Sequence, residues 1–199
     1  MINNILLIIK ARMESGRFPQ KVIAPLCGQP MILWLLSRLA HLPYPLAVAI
    51  PDTGALAVQL ATFCERHGHR AHLIPGDPQD VLGRFAKTVA LYPQTEHIVR
   101  IGADTPLIDP HIVKQVIDYH LHLSEHDTAP DYTGLCKEWG DGVADCEIFT
   151  RDALCMADQH ATEDHHREHI NPYFWEQPAR FKLAHLPCPF DLSWMRCSV

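Results

Sequence analysis

No secretory leader is expected at the start of this chain. MINNILLII carries neither a basic n-region nor a small-residue cleavage site, and it is too short to span a bilayer. The expectation is a cytoplasmic protein without a membrane partner, beginning on a buried strand. Paired cysteines are missing too. Cys27, Cys64, Cys136, Cys146, Cys155, Cys188 and Cys197 are odd in number, scattered and never spaced C-x-x-C, which suits reduced thiols rather than a disulfide framework. Nor is there net positive charge: 17 Lys and Arg against 23 Asp and Glu give −6, so no nucleic-acid partner is expected. No internal repeat or low-complexity stretch divides the chain. The first loop contains no G-K-[ST], which excludes a P-loop.

What is present is a globular balance, 47% apolar and 20% charged, over 199 residues that suit a single domain, 1–199. Short apolar runs alternate with amphipathic ones. ILLII (5–9), PLAVAI (45–50), AHLI (71–74) and HIVRIG (97–102) read as strands. PMILWLLSRLAHL (30–42) reads as a helix with Pro30 in its first turn, and TGALAVQLATFCERHG (53–68) as one closed by Gly68. DVLGRFAKTVALY (80–92) reads as a third helix capped by Asp80, and HIVKQVIDYHLHL (111–123) as a fourth. Four βα units in a row predict an α/β, three-layer domain with a mostly parallel sheet. Beyond residue 124 the periodicity weakens. Short strands are expected near 131–135 and 145–150, helices over 151–161 and 163–177 with Pro172 limiting the second, and a last strand over 180–186.

KARMESGRFPQKV (10–22) leaves the carboxyl end of the first strand, where open α/β sheets bind their ligands. It gathers Arg12, Arg17 and Lys21, a cradle for something multiply anionic. Asp104, in IGADTPLIDP at the carboxyl edge of the fourth strand, faces the same crevice, and a carboxylate opposite phosphates calls for a bridging Mg²⁺. The plainer reading makes Asp104 the cap of the next helix. Asp80 and Arg84 are equally readable as a cap and a surface charge or as nucleotide contacts. His165 and His169, four apart, could share a face toward zinc, although the stretch is not H-E-x-x-H and its spacing fixes no third ligand. Trp34 and Leu35 read as core.

Taken in order, these stretches resemble the cytidylyltransferase family typified by spore-coat polysaccharide biosynthesis proteins, relatives of the 3-deoxy-manno-octulosonate and acylneuraminate cytidylyltransferases. The family's ARMGSTRLPGKVL is matched by ARMESGRFPQKVI, its L.G.PML by LCGQPMI and its DVLDRY by DVLGRF. Its TGDCPLIDP is matched by IGADTPLIDP and its DREHVTPYI by HREHINPYF, so the likeness runs from residue 5 to about 174. The resemblance implies a nucleotide-diphospho-sugar transferase-like fold and transfer of CMP from CTP to a sugar, with pyrophosphate released. It also implies Ala11, Arg12, Ser15, Arg17, Lys21, Asp80 and Arg84 on the nucleotide, with Arg12, Lys21 and Asp104 carrying catalysis and Asp104 holding Mg²⁺. Glu147, Arg167, Glu168, His169 and Tyr173 fall on the acceptor side, Glu147 one residue further from Gly142 than the family's glutamate. A homodimer is left open.

The chain departs from the family at informative points. Glu14 and Gln20 stand where the family has Gly, Gly16 where it has Thr, and Ala103 where it has another Gly. A non-Gly residue costs energy wherever the backbone must be left-handed. At the far end MRCSV stops at Val199, where the family's LTVDTPEDL-like stretch would bring an Asp to complete the metal site. A truncated chain or a lone metal carboxylate is therefore expected. The competing readings are an active cytidylyltransferase and a catalytically impaired nucleotide-binding or interaction module of the same fold. A glycosyltransferase ranks third, because Thr105 and Pro106 follow Asp104 where a D-x-D motif is needed.

Overall fold

A computed structural model describes residues 4–14, 18–125, 129–143 and 145–199. Its strands are β1 (Ile5–Lys10), β2 (Pro25–Leu26), β3 (Gln29–Pro30), β4 (Leu46–Pro51), β5 (Arg70–Ile74), β6 (His97–Gly102), β7 (Tyr132–Leu135), β8 (Cys146–Thr150) and β9 (Leu183–Leu186). Its helices are α1 (Met31–Leu39), α2 (Ala55–Arg66), α3 (Val81–Ala90), α4 (Pro110–Ser124), α5 (Arg151–His160), α6 (Asp164–His169) and α7 (Asn171–Trp175). Seven strands form one sheet in the order β5-β4-β1-β6-β8-β7-β9, parallel from β5 to β6. β8 runs antiparallel to both its neighbours, and β9 is parallel to β7. This is the expected mostly parallel, three-layer α/β domain.

The apolar run of β1 is buried on both faces, as a central parallel strand requires. Ile5, Leu7 and Ile9 join a core with Leu35 and Leu36 of α1, Leu60 of α2 and Val116 of α4. Leu6 and Ile8 point the other way, to Phe85 of α3, Leu154 of α5 and Phe174 of α7. Among the described residues, no helix is long and apolar enough to cross a membrane. All seven cysteines are free.

Three expectations need correction. Pro30 lies outside α1, as its N-cap and the end of the small β2–β3 hairpin, which the apolar periodicity does not reveal; Cys27 (φ 47°) and Gly28 (φ 87°) form its left-handed turn. The helix expected over 163–177 is two helices, broken not at Pro172 but at Ile170 (φ 63°); Pro172 sits harmlessly in the first turn of α7. The last strand is shorter than 180–186, because Arg180 and Phe181 donate to Gln177 in a turn. Asp80 caps α3 as expected, accepting from the Gly83 N–H at 3.0 Å.

Gln20 has φ 58°, so the family's glycine is replaced at a position that favours glycine; the strained residue closes the first loop by donating its N–H to the Met13 carbonyl at 2.8 Å. Gln20→Gly is expected to stabilise the fold by about 1 kcal/mol, part of the relief being offset by the freer unfolded chain. Urea unfolding checks this, and an unchanged or lower midpoint would refute it.

Candidate active site

β1 and β6 pair in register from Ile5 opposite His97 to Lys10 opposite Gly102, so their carboxyl ends arrive together. The segments that follow stay in contact there, the Ala103 N–H donating to the Lys10 carbonyl at 3.1 Å. Lys21, on a 3₁₀ turn, donates from Nζ to Asp104 Oδ2 at 2.9 Å and to the Val199 carbonyl at 3.0 Å. Asp104 therefore belongs to the crevice. It is not the cap of α4; Asp109 is, accepting from the His111 N–H at 2.8 Å. Burial works against ionisation of Asp104, but the hydrogen bond and charge of Lys21, with Lys10 behind, hold its carboxyl below the usual range.

Positive charge is crowded around this edge. Burial drives the Lys10 ammonium down to about 8, Arg100, Arg12 and Arg84 add to the fall, and Asp104 opposes it. Arg84 is 3% exposed, so it is no surface charge. Its Nη1 donates to the Pro78 carbonyl at 3.2 Å, while Nε and Nη2 find no partner among the described residues. Burial, then Arg12, pulls its guanidinium down to about 10. Arg12 donates to Gln79 Oε1 at 3.1 Å and lies 3.8 Å from Glu168 Oε1. Glu14 is turned aside, accepting from the Thr53 hydroxyl at 2.8 Å. Ala11 is buried, its N–H directed to the Ala49 carbonyl. Ser15, Gly16 and Arg17 lie outside the described residues.

The residues expected on the acceptor side, with Asp80, divide into committed and open groups. Asp80 and Arg167 take each other bidentately, at 2.8 and 2.9 Å, and Arg167 also reaches Asp158. Glu147 is buried with both oxygens engaged, one by Arg100 Nη1 at 2.8 Å and one by Asn171 Nδ2 at 2.6 Å. Tyr173 is buried, its hydroxyl accepting from Arg180 at 2.9 Å. Glu168 and His169 remain at the surface of α6, half-buried and exposed respectively. The histidine expected beside His165 is not His169 but His166.

Three site residues carry no clear signal in the sequence pattern of the loops: Lys10, Arg100 and Asp145. Asp145 stands beside Asp104 over Gly102, where a Cβ would lie 2.6 Å from Asp104 Oδ1 and 3.9 Å from Asp145 Oδ2. Burial pushes the Asp145 carboxyl up to about 6; Glu147, Asp104 and Asp141 push the same way against Arg100. A signal does exist for Arg100 and Glu147 in their strands. Each is the lone charge inside an apolar run, and two such strands are best satisfied by pairing.

The family model described as cytidylyltransferase matches residues 6–193. The chain is 29% identical over 202 residues to the spore coat polysaccharide biosynthesis protein SpsF of Bacillus subtilis, covering 94% of this chain and 77% of that protein. A solved cytidylyltransferase from Leptospira borgpetersenii superposes with TM-score 0.89 at 26% identity, over 98% of this chain and 81% of that one. A CMP:2-keto-3-deoxy-manno-octonic acid synthetase, solved with CTP, shares the fold at TM-score 0.72 and 14% identity, over 92% and 89% of the two chains.

Asp145 supplies a pH test. Its folded value lies near 6 against an ordinary 3.8, so the folded state holds the extra proton and stability falls as pH rises between those values. Asp145→Asn is expected to stabilise the protein by on the order of 2–3 kcal/mol near pH 7.5 and by much less near pH 4.5. Urea unfolding at the two pH values decides; an equal gain at both would remove the electrostatic explanation.

Proposed function

The chain belongs to the cytidylyltransferase family, and from that membership we propose that it transfers CMP from CTP to a sugar acceptor for surface-polysaccharide synthesis. An acceptor oxygen forms a bond to the α-phosphorus, the bond from that phosphorus to the β-phosphate oxygen breaks, and pyrophosphate leaves; the acceptor's proton is lost to solvent. The observation that carries the reading is the buried Arg84, two of whose guanidinium nitrogens find no partner among the described residues, next to the desolvated Lys10. Such charges are costly unless an anion completes them.

The chain's own work is positioning and neutralisation rather than covalent attack. Lys10, Arg12, Lys21 and Arg84 draw the triphosphate to the ends of β1 and β6. Lys21 exchanges its carboxylate partner for a phosphate oxygen as the nucleotide enters. Asp104 and Asp145 are hard oxygen donors converging over a glycine that leaves the space between them open, which fits Mg²⁺. When bound there, Mg²⁺ supplies charge neutralisation for the leaving pyrophosphate. The pairing of Arg167 with Asp80 ties α6 to α3, and with it Glu168 and His169 toward the acceptor.

The test separates phosphate from base. Lys21→Ala is expected to weaken CTP by roughly 10- to 100-fold, from a charge-assisted contact of about 1.5–3 kcal/mol, and to leave cytidine within about twofold. Equal losses in calorimetry would overturn the phosphate role. CTP is also expected to bind more tightly than ATP or GTP. Asp104→Asn is expected to abolish Mg²⁺ uptake coupled to CTP with the circular dichroism unchanged. Pyrophosphate release in the presence of a sugar acceptor distinguishes the enzyme from a module that only binds.

A further inference from the structure

The short helix α6 and the residue after α7 bring three metal-ligating side chains together away from the nucleotide crevice. His165 Nε2 lies 3.3 Å and His166 Nε2 2.8 Å from the same oxygen, Oε2 of Glu176. All three ligand atoms fall within 4.8 Å of one another, and the two imidazole centroids are 3.9 Å apart. We propose that His165, His166 and Glu176 form a transition-metal site, zinc foremost, that clasps the corner between α6 and α7.

Zinc bonds of about 2.0–2.1 Å place tetrahedral ligands about 3.3–3.4 Å apart, so the two nitrogen–oxygen separations need only small adjustments. His166 is already held in place. Its side chain is 12% exposed and its ring stands edge-on to Tyr173, which Arg180 anchors through the hydroxyl. His165 and Glu176 are half exposed, free to swing onto an ion arriving from solvent. Two imidazoles and one carboxylate suit zinc and its neighbours, whereas Mg²⁺ and Ca²⁺ prefer oxygen alone. In the absence of metal, a ring N–H can serve the Glu176 carboxylate. On binding, each neutral imidazole presents its Nε2 lone pair and keeps its proton on Nδ1, so no redox step or co-reactant is needed. A fourth position stays open for water.

The location gives the clasp a purpose. Between the ligands lies Ile170, a β-branched residue at φ 63° and ψ −60°, a conformation that persists only where its surroundings over-determine it. Arg167 and Glu168, next to His166 on α6, face Asp80 and Arg12. A bound ion therefore fixes the helix that carries part of the crevice wall.

Tag-free protein titrated with Co²⁺ tests the site. One equivalent is expected to bind with four-coordinate d–d absorption and without thiolate-to-cobalt charge transfer, and Zn²⁺ is expected to displace it. Zn²⁺ at a hundredfold excess over its Kd is expected to raise Tm by roughly 5–10 °C, whereas Mg²⁺ gives no shift. His165→Ala and Glu176→Gln, both at exposed positions, are each expected to weaken Co²⁺ at least tenfold while CTP affinity stays within twofold, which shows that the fold is kept. Absence of uptake at millimolar Co²⁺, a thiolate charge-transfer band, or uptake unchanged in both variants would overturn the proposal.

Discussion

An arginine inside a seven-stranded sheet is tolerable only where a carboxylate meets it, and Arg100 meets Glu147 directly across β6 and β8. The two are also register partners, so the ion pair and the ladder specify the same alignment. A one-residue slip of β8 would turn Glu147 to the opposite face and leave Arg100 buried without its counterion. The alignment has reach. It sets Cys146 opposite Ile101 and thereby brings Asp145 to the edge above Gly102, beside Asp104. The second oxygen of Glu147 holds Asn171, so the same carboxylate anchors the start of α7. That inward placement of Asn171 accompanies the positive φ of Ile170, which breaks what would otherwise run on as one helix.

The other side of the crevice is arranged on different terms. Lys10, Arg12 and Arg84 repel one another, and the fold does not give each a carboxylate. Asp104 goes to Lys21, Asp80 goes to Arg167, and two nitrogens of Arg84 are left bare among the described residues. Local inconsistency of this kind is what the proposed nucleotide site accounts for, since an anion would complete charges that the fold leaves without a carboxylate. The overall charge of −6 makes the contrast sharper, because this cluster of cations stands in a chain with an acidic balance.

The parallel half of the fold is legible in the sequence because each of its signals is local. Apolar runs of five or six residues, a capping Asp80 and a closing Gly68 lie within a few residues of what they control. The antiparallel half is legible only as separate strands, since the register of β8 against β6 is tied to the Arg100–Glu147 pair, 47 residues apart in sequence. The site divides the same way. Lys21 and Asp104 are readable from strand ends. Asp145 is not, because nothing near it in sequence announces that β8 will return its amino end to the edge where β6 finishes. Arg84 is readable as a charge on a helix start but not as a buried one, which depends on the packing of α3 against the sheet.

The strand-to-site logic extends to the final residues. Residues 191–199 lack regular structure, yet they follow a defined track: Leu192 donates to Glu138, Asp141 to Met195, and Cys197 back to Asp141. Gly140 and Gly142 allow the close approach; a Cβ on Gly140 would lie 2.8 Å from the Met195 Cβ, and Gly142 has φ 81°. The track ends with the Val199 N–H on the Asp104 carbonyl and the Val199 carbonyl on Lys21. Lys21 is therefore held by two acceptors from segments nearly a hundred residues apart, Asp104 and Val199. In the proposed reaction, a phosphate that took Lys21 from Asp104 would free that carboxylate while the backbone contact to Val199 still oriented the ammonium. On that proposal, one exchange would release the carboxylate assigned to Mg²⁺ and fill the cationic side of the crevice together, so that a site with so few committed partners would respond to its ligand as a unit.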